Sequence, residues 1–394
     1  MMLRQSLALF ALPCALTVAS ANPVGFAKQQ LADQFYSEGV TVADANQDGH
    51  LDVIAGPFLY LGPEYTKKQQ LAAPLAYDPL SYSNAFVMDT HDFNADGRPD
   101  ILRAGWPGRA AFWLQNPGEA GGDWPEHIVH PAVGTESPQL INLVGDEGLE
   151  FIFSTNKTIG WATPGADAES PWTYHPITPE GHWQRYTHGF GAGDVNSDGR
   201  LDLLTAVGWF EQPADLSGSP HWQHHPAEFG TRGGAQMYAY DVNGDGLNDI
   251  ITSIDGHGYG ISWFEQKLNA DGSHAWTDHP IISREPNTPI RGVQFSQPHA
   301  LEIADIDGDG LMDIVSGKRY WAHGPTGDVD PLDPAVIFWF KLVREGDQAH
   351  FEPRLIDSAS GIGCQFVIQD MNQDGHPDII TSNKSGVFVF TQQR

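Results

Sequence analysis

The stretch "DVNSDGRLDLLTAVGWFEQ", residues 194–212, decides the fold. Its opening nine residues fit the pattern D-x-[DN]-x-D-G-x-x-D. The pattern returns in "DANQDGHLD" (44–52), "DFNADGRPD" (92–100), "DVNGDGLND" (241–249), "DIDGDGLMD" (305–313) and "DMNQDGHPD" (370–378). The starts lie 48, 102, 47, 64 and 65 residues apart. The wide gap holds a worn copy, "LVGDEGLEFIFS" (143–154), which keeps glycines but loses the ligand set. The count is therefore seven units, six of them intact.

Each unit has the same shape. An apolar run precedes the motif ("FVMDTH", "ALEIA") and a β-branched run follows it ("DVIAG", "DLLTAV", "DIITS"). An aromatic run comes third ("AFWLQ", "GWFEQ", "VIFWF"), and a fourth often begins "WTYHP", "WQHHP" or "WTDHP". Four short strands per repeat, without helical periodicity, describe the blades of a β-propeller. The sequence thus predicts an all-β chain: a seven-bladed β-propeller over residues 22–394. The last unit ends after its third strand at Phe390, and "FAKQQLADQFYS" near the amino terminus reads as the missing fourth strand. Closure of that kind removes exposed sheet edges.

A chain of 394 residues exceeds the size of one ordinary core, and repeats are how a single domain grows that long. Residues 1–21 have a basic start at Arg4, an apolar run from Leu7 to Ala19 and an Ala19-Ser20-Ala21 exit, the layout of a secretory signal. The run is shorter than a membrane span needs; a lipid anchor through Cys14 is the alternative, which Pro13 fits poorly. The expected location is periplasmic or extracellular. Removal of the signal leaves Cys364 alone, so no intramolecular disulfide can form. With 21 Lys plus Arg against 50 Asp plus Glu, the net charge of −29 argues against nucleic acid or an anionic membrane as partner. The chain is expected to be a monomer or small homo-oligomer.

The acidity is concentrated in the motifs. Oxygen ligands fall at positions 1, 3, 5 and 9 of each, with Gly at 6 permitting the turn, a hard-oxygen set that suits Ca²⁺. The expected ligands are Asp44, Asn46, Asp48 and Asp52; Asp92, Asn94, Asp96 and Asp100; Asp194, Asn196, Asp198 and Asp202; Asp241, Asn243, Asp245 and Asp249; Asp305, Asp307, Asp309 and Asp313; and Asp370, Asn372, Asp374 and Asp378. Up to six structural Ca²⁺ ions follow, with no organic cofactor. The alternative is metal-free Asx-turn chemistry. The recurring His-Pro of the fourth strands (His130, His175, His225, His279) reads as a shared structural feature of the outer rim.

A propeller gathers at one mouth the residues that enter each first strand and the loops between second and third strands. By that rule His188, Gln236, His299 and Gln365, five or six residues before their motifs, face the same mouth as Asn84, Arg103, Arg109, Lys157, Asp255, His257, Lys318, Arg319, Asn383 and Lys384. Six of these are cations in a cation-poor chain, which predicts a positive pocket. Trp106, Trp209, Tyr259 and Trp321 are placed to stack on a sugar ring, although Trp209 also suits blade packing. His323 and the Asp328/Asp330 pair read as ordering the long loop or holding a further metal.

The motif and its place between the first two strands resemble the FG-GAP/VCBS repeats of integrin-type propellers. "GWFEQP" (208–213), "PHALEIADIDGDGLMDIVSGKRYWAHGPTGDVDP" (298–331) and "NKSGVFVF" (383–390) are similar to the propeller of the aldos-2-ulose dehydratase family. That resemblance implies a carbon–oxygen lyase that removes water from 1,5-anhydro-D-fructose or a related keto sugar; it covers the propeller of the family and not the cupin part that carries its isomerising activity. Such a reaction needs a base for the proton alpha to the carbonyl, cations for the enolate and an acid for the leaving hydroxyl. The expected base is His188 or His299, with His257 in the same set. Lys318, Arg319 and Lys384 would hold the oxyanion, and Tyr186, Tyr259 or the other histidine would serve as acid. Asn84, Arg103, Lys157, Tyr186, Gln236, Trp321, His323 and Gln365 would bind substrate. A uronan polysaccharide lyase would use the same equipment, and a non-catalytic glycan- or protein-binding propeller is the reading from another class. No nucleophile elbow, CxxC, phosphate loop or HExxH appears.

Overall fold

The computed structural model describes residues 24–118, 121–145, 148–168, 170–346 and 348–394; the signal expected at 1–21 lies outside them. Among these residues are 27 β-strands and a 3-10 turn at Gly324–Thr326. The strands run as antiparallel meanders of four. Thr41–Ala43, Asp52–Ala55, Phe58–Leu61 and Lys67–Gln70 make one such sheet; Leu301–Ala304, Asp313–Gly317, Ile337–Glu345 and Gln348–Asp357 make another. An eight-stranded sheet is two meanders joined by parallel pairing of Phe190–Gly193 with Gln236–Tyr240. A seven-stranded sheet is two meanders sharing one long strand, Glu126–Ile141, which pairs first with Arg109–Leu114 and then with Glu150–Thr155. In the last sheet Gly25–Ala32 lies antiparallel on Gly386–Gln393, Lys28 opposite Phe390.

The first strands neighbour one another in a closed cycle: Thr41–Ala43, Val87–His91, Glu126–Ile141, Phe190–Gly193, Gln236–Tyr240, Leu301–Ala304, Phe366–Gln369 and back to Thr41–Ala43. The architecture is all-β and propeller-like. Apolar clusters lie between successive sheets, as where Ile251, Trp263, Leu301, Ile314 and Phe340 pack together.

The acidic loops explain why one turn recurs. Position 6 is a glycine at φ between 84° and 91° in all six, and position 4 is also left-handed, as at Gln47, Ala95, Ser197 and Gln373. A side chain at position 6 would be strained there. Position 1 accepts the amides of positions 5 and 6, as when Asp44 takes Asp48 N at 2.9 Å and Gly49 N at 2.9 Å. The carboxylate at position 9 is buried and staples the loop to the third strand: Asp202 accepts Val195 N at 3.0 Å and Gln212 N at 2.9 Å. Asp249 repeats this with Val242 and Gln266, and in the worn copy Glu150 takes Leu143 N at 2.8 Å. Burial pushes Asp202, Asp249 and Asp313 up to about 7 despite these bonds. A nearby cation would reverse that shift.

The repeated "FEQ" has a matching role. Gln212 Nε2 donates to Leu143 O at 2.8 Å and Gln266 Nε2 to Val195 O at 3.0 Å, so the end of each third strand ties into the loop of the preceding meander. Gln392 and Asn116 do the same to Ile306 O and Ala45 O. The rim histidines are structural, with one correction. Trp161, Trp209 and Trp263 stack on their cross-strand partners His175, His225 and His279 at 4.0–4.2 Å, whereas Trp113 stacks on His127. His130, read from the sequence as the fourth of the set, packs on Phe153 and Tyr174 instead.

Candidate functional site

Where the sequence pattern alternates, a one-residue offset decides which way a side chain faces. Six residues before the seven motif starts, taking Asn142 as the start of the worn copy, stand Glu38, Phe86, Glu136, His188, Ala235, His299 and Cys364. All but Ala235, which packs in an apolar cluster between sheets, gather around Arg319 of the 317–331 loop at one end of the ring. Gln236 and Gln365 stand five residues before their motifs and face elsewhere. Gln365 accepts Val40 N and Met88 N and donates to Met88 O at 2.9 Å; Gln236 donates to Cys364 O and accepts Leu301 N. Both amides tie first strands together, outside the mouth pocket, beside a smaller cavity of about 210 Å³ that also holds Asp89, Tyr238 and Glu302. There burial, with the neighbouring Glu302, pushes Asp89 up to about 8; burial also raises Glu302 to about 7 against the hydrogen bond from Tyr238.

The mouth pocket has a volume of about 710 Å³. Its floor is a cluster of three imidazoles and a carboxylate: ligating atoms of Glu136, His188, His257 and His299 all lie within 4.8 Å of one another. His188 and His257 face each other Nε2 to Nε2 at 3.0 Å. His188 Nε2 is 3.6 Å from Glu136 Oε1, and His299 Nε2 is 3.2 Å from Glu136 Oε2. His188 donates Nδ1–H to Tyr186 O at 2.9 Å, which leaves Nε2 as the lone-pair nitrogen, and His257 Nδ1 lies 3.3 Å from Asp328 Oδ1. Burial holds both His188 and His299 below the ordinary imidazole range, Arg319 adding to the effect on each, so both are neutral at pH 7. Burial alone would raise Glu136, but its carboxyl is held well below the ordinary range and stays ionised beside the Arg319 guanidinium, whose Nη1 is 3.3 Å from Oε2.

His188, His257 and Glu136 form a donor set that fits a divalent transition ion, while His299 Nε2 is taken by the Arg319 N–H. Imidazole nitrogens about 2.1 Å from a common ion stand about 3.0–3.4 Å apart, and His188 Nε2 and His257 Nε2 stand at that separation, 3.0 Å. Asp328 behind His257 supplies the carboxylate that orients a ligating imidazole.

Arg319 is buried against the cluster. Its Nη1 donates to His299 Nε2 at 2.8 Å and lies 3.3 Å from Glu136, and its Nη2 is 3.1 Å from Glu38. Two acids meet this cation, and Arg232 on the rim is paired with Asp255 at 2.8 Å, so the expected positive pocket is instead locally neutralised. Lys318 does not face the pocket: its Nζ donates to Ser296 Oγ and Asp330 O, both at 2.7 Å, and pins the loop. Trp321 likewise donates to Pro331 O at 2.9 Å rather than lining the cavity, and Tyr259 donates to Asp330. Lys384 lies buried, its Nζ 4.5 Å over the Tyr82 ring. His323 does line the pocket, with Nδ1 on Asp328 Oδ1 at 2.8 Å, and Tyr186 accepts Trp106 Nε1–H at 3.2 Å on the opposite wall. Asn84 and Arg103 line a second, adjoining cavity; Lys157 pairs with Glu180 on the surface. Trp209 is buried in the blade stack. Glu38 and Glu136 escape a reading that looks for histidines and cations, yet their shared offset with His188 and His299 is the signal that finds them.

An FG-GAP-like repeat spans residues 241–316. The FG-GAP-like segment holds two of the acidic loops and contributes His257 and His299 to the cluster. No curated protein matches the chain. Among solved structures, a lectin of Agrocybe aegerita that recognises non-reducing terminal N-acetylglucosamine is 14% identical, with a TM-score of 0.49 over 80% of this chain and 79% of its own. The rhamnogalacturonan lyase YesW is 11% identical, TM-score 0.45, over 95% and 74%. The V. cholerae biofilm matrix protein Bap1 is 16% identical, TM-score 0.34, over 70% and 40%. No helix of the described residues is long and apolar enough to cross a membrane.

Proposed function

We propose that the chain is an exported seven-bladed propeller that carries calcium in its acidic loops and, at the opposite mouth, a carbon–oxygen lyase centre for carbohydrate built around one divalent transition ion. The single observation behind the enzyme reading is the meeting of His188, His257, His299 and Glu136 on the floor of a pocket walled by Trp106, Tyr82 and Tyr186. The closed cycle of first strands supports the ring. Water removal from a keto sugar such as 1,5-anhydro-D-fructose and cleavage of a uronan are both eliminations beside a carbonyl, and both belong to this class.

When bound, the ion supplies Lewis acidity toward the oxygen that gains charge as the enolate forms. The chain's own residues do the rest. Asp328 fixes His323 with Nδ1–H toward the carboxylate, so His323 Nε2, which has no protein partner among the described residues, is the base that takes the proton alpha to the carbonyl. Burial pushes Asp328 up, but the hydrogen bonds from His257 and His323 outweigh it and keep the carboxylate charged beside the imidazolium that forms. As the C–O bond beta to the carbonyl breaks, the Tyr186 hydroxyl gives its proton to the leaving oxygen. Arg319, held between Glu38 and Glu136, fixes the cluster's geometry.

Incubation with 1,5-anhydro-D-fructose and with polygalacturonate, followed by ultraviolet absorbance, is expected to show an unsaturated product from at least one of them, lost in His323→Ala. Silence with both, alongside measurable binding of either, would replace the lyase by a glycan-binding module.

A further inference from the structure

Next to the mouth pocket lies a second cavity of about 640 Å³, and the two share Tyr82 and Trp106 as a common wall. These rings meet edge-on at 4.1 Å, the Trp106 indole held by its bond to Tyr186. The second cavity differs in chemistry from the first. Arg103 and Arg109 both line it, with Asn84 and Ser83 as neutral polar groups and Tyr77 and Phe112 as aromatic surface. Arg103 lies 5.9 Å from the Phe112 ring and spends one nitrogen on Glu126 at 2.9 Å. Arg109 is exposed and has no acidic partner among the described residues. Arg185 is a third cation at this rim, lying over the Tyr186 ring at 4.7 Å and against Gly108, with no ion pair of its own among the described residues.

In a chain with 50 acids for 21 cations, what sets Arg109 apart from other arginines without an ion pair is that it lines a cavity with a second guanidinium. Most of its surface cations have found a carboxylate, as Lys28, Lys157, Arg232 and Arg354 have. Two guanidinium groups lining one cavity with aromatic rings, one of them without a protein anion among the described residues, suit a ligand that brings its own negative charge on a ring that can stack.

We propose that this cavity is a subsite for an anionic sugar residue, so that the chain accepts an acidic oligo- or polysaccharide with one residue between Arg103 and Arg109 and the next across the Tyr82–Trp106 wall at the histidine cluster. The proposal rests on the reading of that cluster as a carbohydrate site and narrows its substrate class. The charge carried by the sugar is a carboxylate or a sulfate, and both meet guanidinium in the same forked geometry.

The test is calorimetric titration of the full chain, in its His257→Ala form so that no turnover interferes, with three tetrasaccharides: a galacturonate oligomer, a sulfated and carboxyl-free oligomer, and a neutral galactose oligomer. At least one acidic probe is expected to bind tenfold or more tighter than the neutral one, with the preference shrinking as salt rises. Arg109→Ala, at an exposed position where the fold has little at stake, is expected to lower acidic binding about tenfold and leave neutral binding as it was. Equal affinity for all three probes, or acidic binding that ignores Arg109→Ala, would overturn the subsite. Because binding is read without chemistry, absence of lyase activity leaves this result standing, and loss of the subsite leaves the activity assay standing.

Discussion

His257→Ala is expected to abolish turnover while the protein stays folded. His257 sits on a loop at the pocket floor and contributes to no apolar cluster, so its removal costs the fold little and the melting temperature should stay within about 2 °C. Its Nε2 stands 3.0 Å from that of His188, and removing one of the two imidazoles that would hold the proposed ion costs both affinity and charge stabilisation. An ion that supplies several kcal/mol in the transition state converts at about 1.4 kcal/mol per tenfold, which puts the loss near a thousandfold in kcat. His257→Gln should recover little, since an amide oxygen is a poor substitute for imidazole at such a site. Steady-state kinetics beside a melting curve separates the outcomes. A variant that folds and turns over normally would remove His257 from the centre; His299→Ala, buried and bonded to Arg319, is the less clean test because it also disturbs packing.

The second large effect is expected from calcium removal. Each of the six loops presents its carboxylates at a turn already set by its own amides, as Asp194 is by Asp198 N and Gly199 N. Without a cation these oxygens repel, and in the loop at 305 Lys341 supplies part of the missing charge by bonding Asp307 and Asp309. Binding to the native state alone stabilises by about 2.7 kcal/mol per site when free ion is a hundred times Kd. Several such sites acting on one ring should lower the melting midpoint by at least about 10 °C in excess EGTA, reversed by added Ca²⁺ and not by Mg²⁺, which resists so irregular an oxygen shell. A melting curve unmoved by EGTA would leave the loops as Asx turns held by hydrogen bonds alone.

The fold was legible because its signal repeats. A nine-residue turn in register six times, with strands of fixed character around it, leaves few architectures open, and the amino-terminal strand lies against Gly386–Gln393 as the missing fourth strand would. The site was legible only in part. His188, His257, His299 and Arg319 do meet, but the carboxylates that organise them, Glu38 and Glu136, are ordinary residues until their offset from the motif is counted. Gln236 and Gln365 look equivalent to the histidines in sequence, yet a shift of one residue along a strand turns them toward neighbouring backbone. The crowd of charges at 317–331 divides in the same way. Arg319 enters the cluster, while Lys318 and Trp321 bind their own loop. Which of two adjacent cations points inward depends on the path of a loop, and no periodicity encodes that.

The most direct test of the central claim is elemental analysis of the untagged protein after exhaustive dialysis against metal-depleted, chelator-free buffer. One equivalent of a transition ion per chain is predicted, retained by wild type and absent from His257→Ala. Protein that carries no transition ion, yet converts carbohydrate at full rate, would contradict the account.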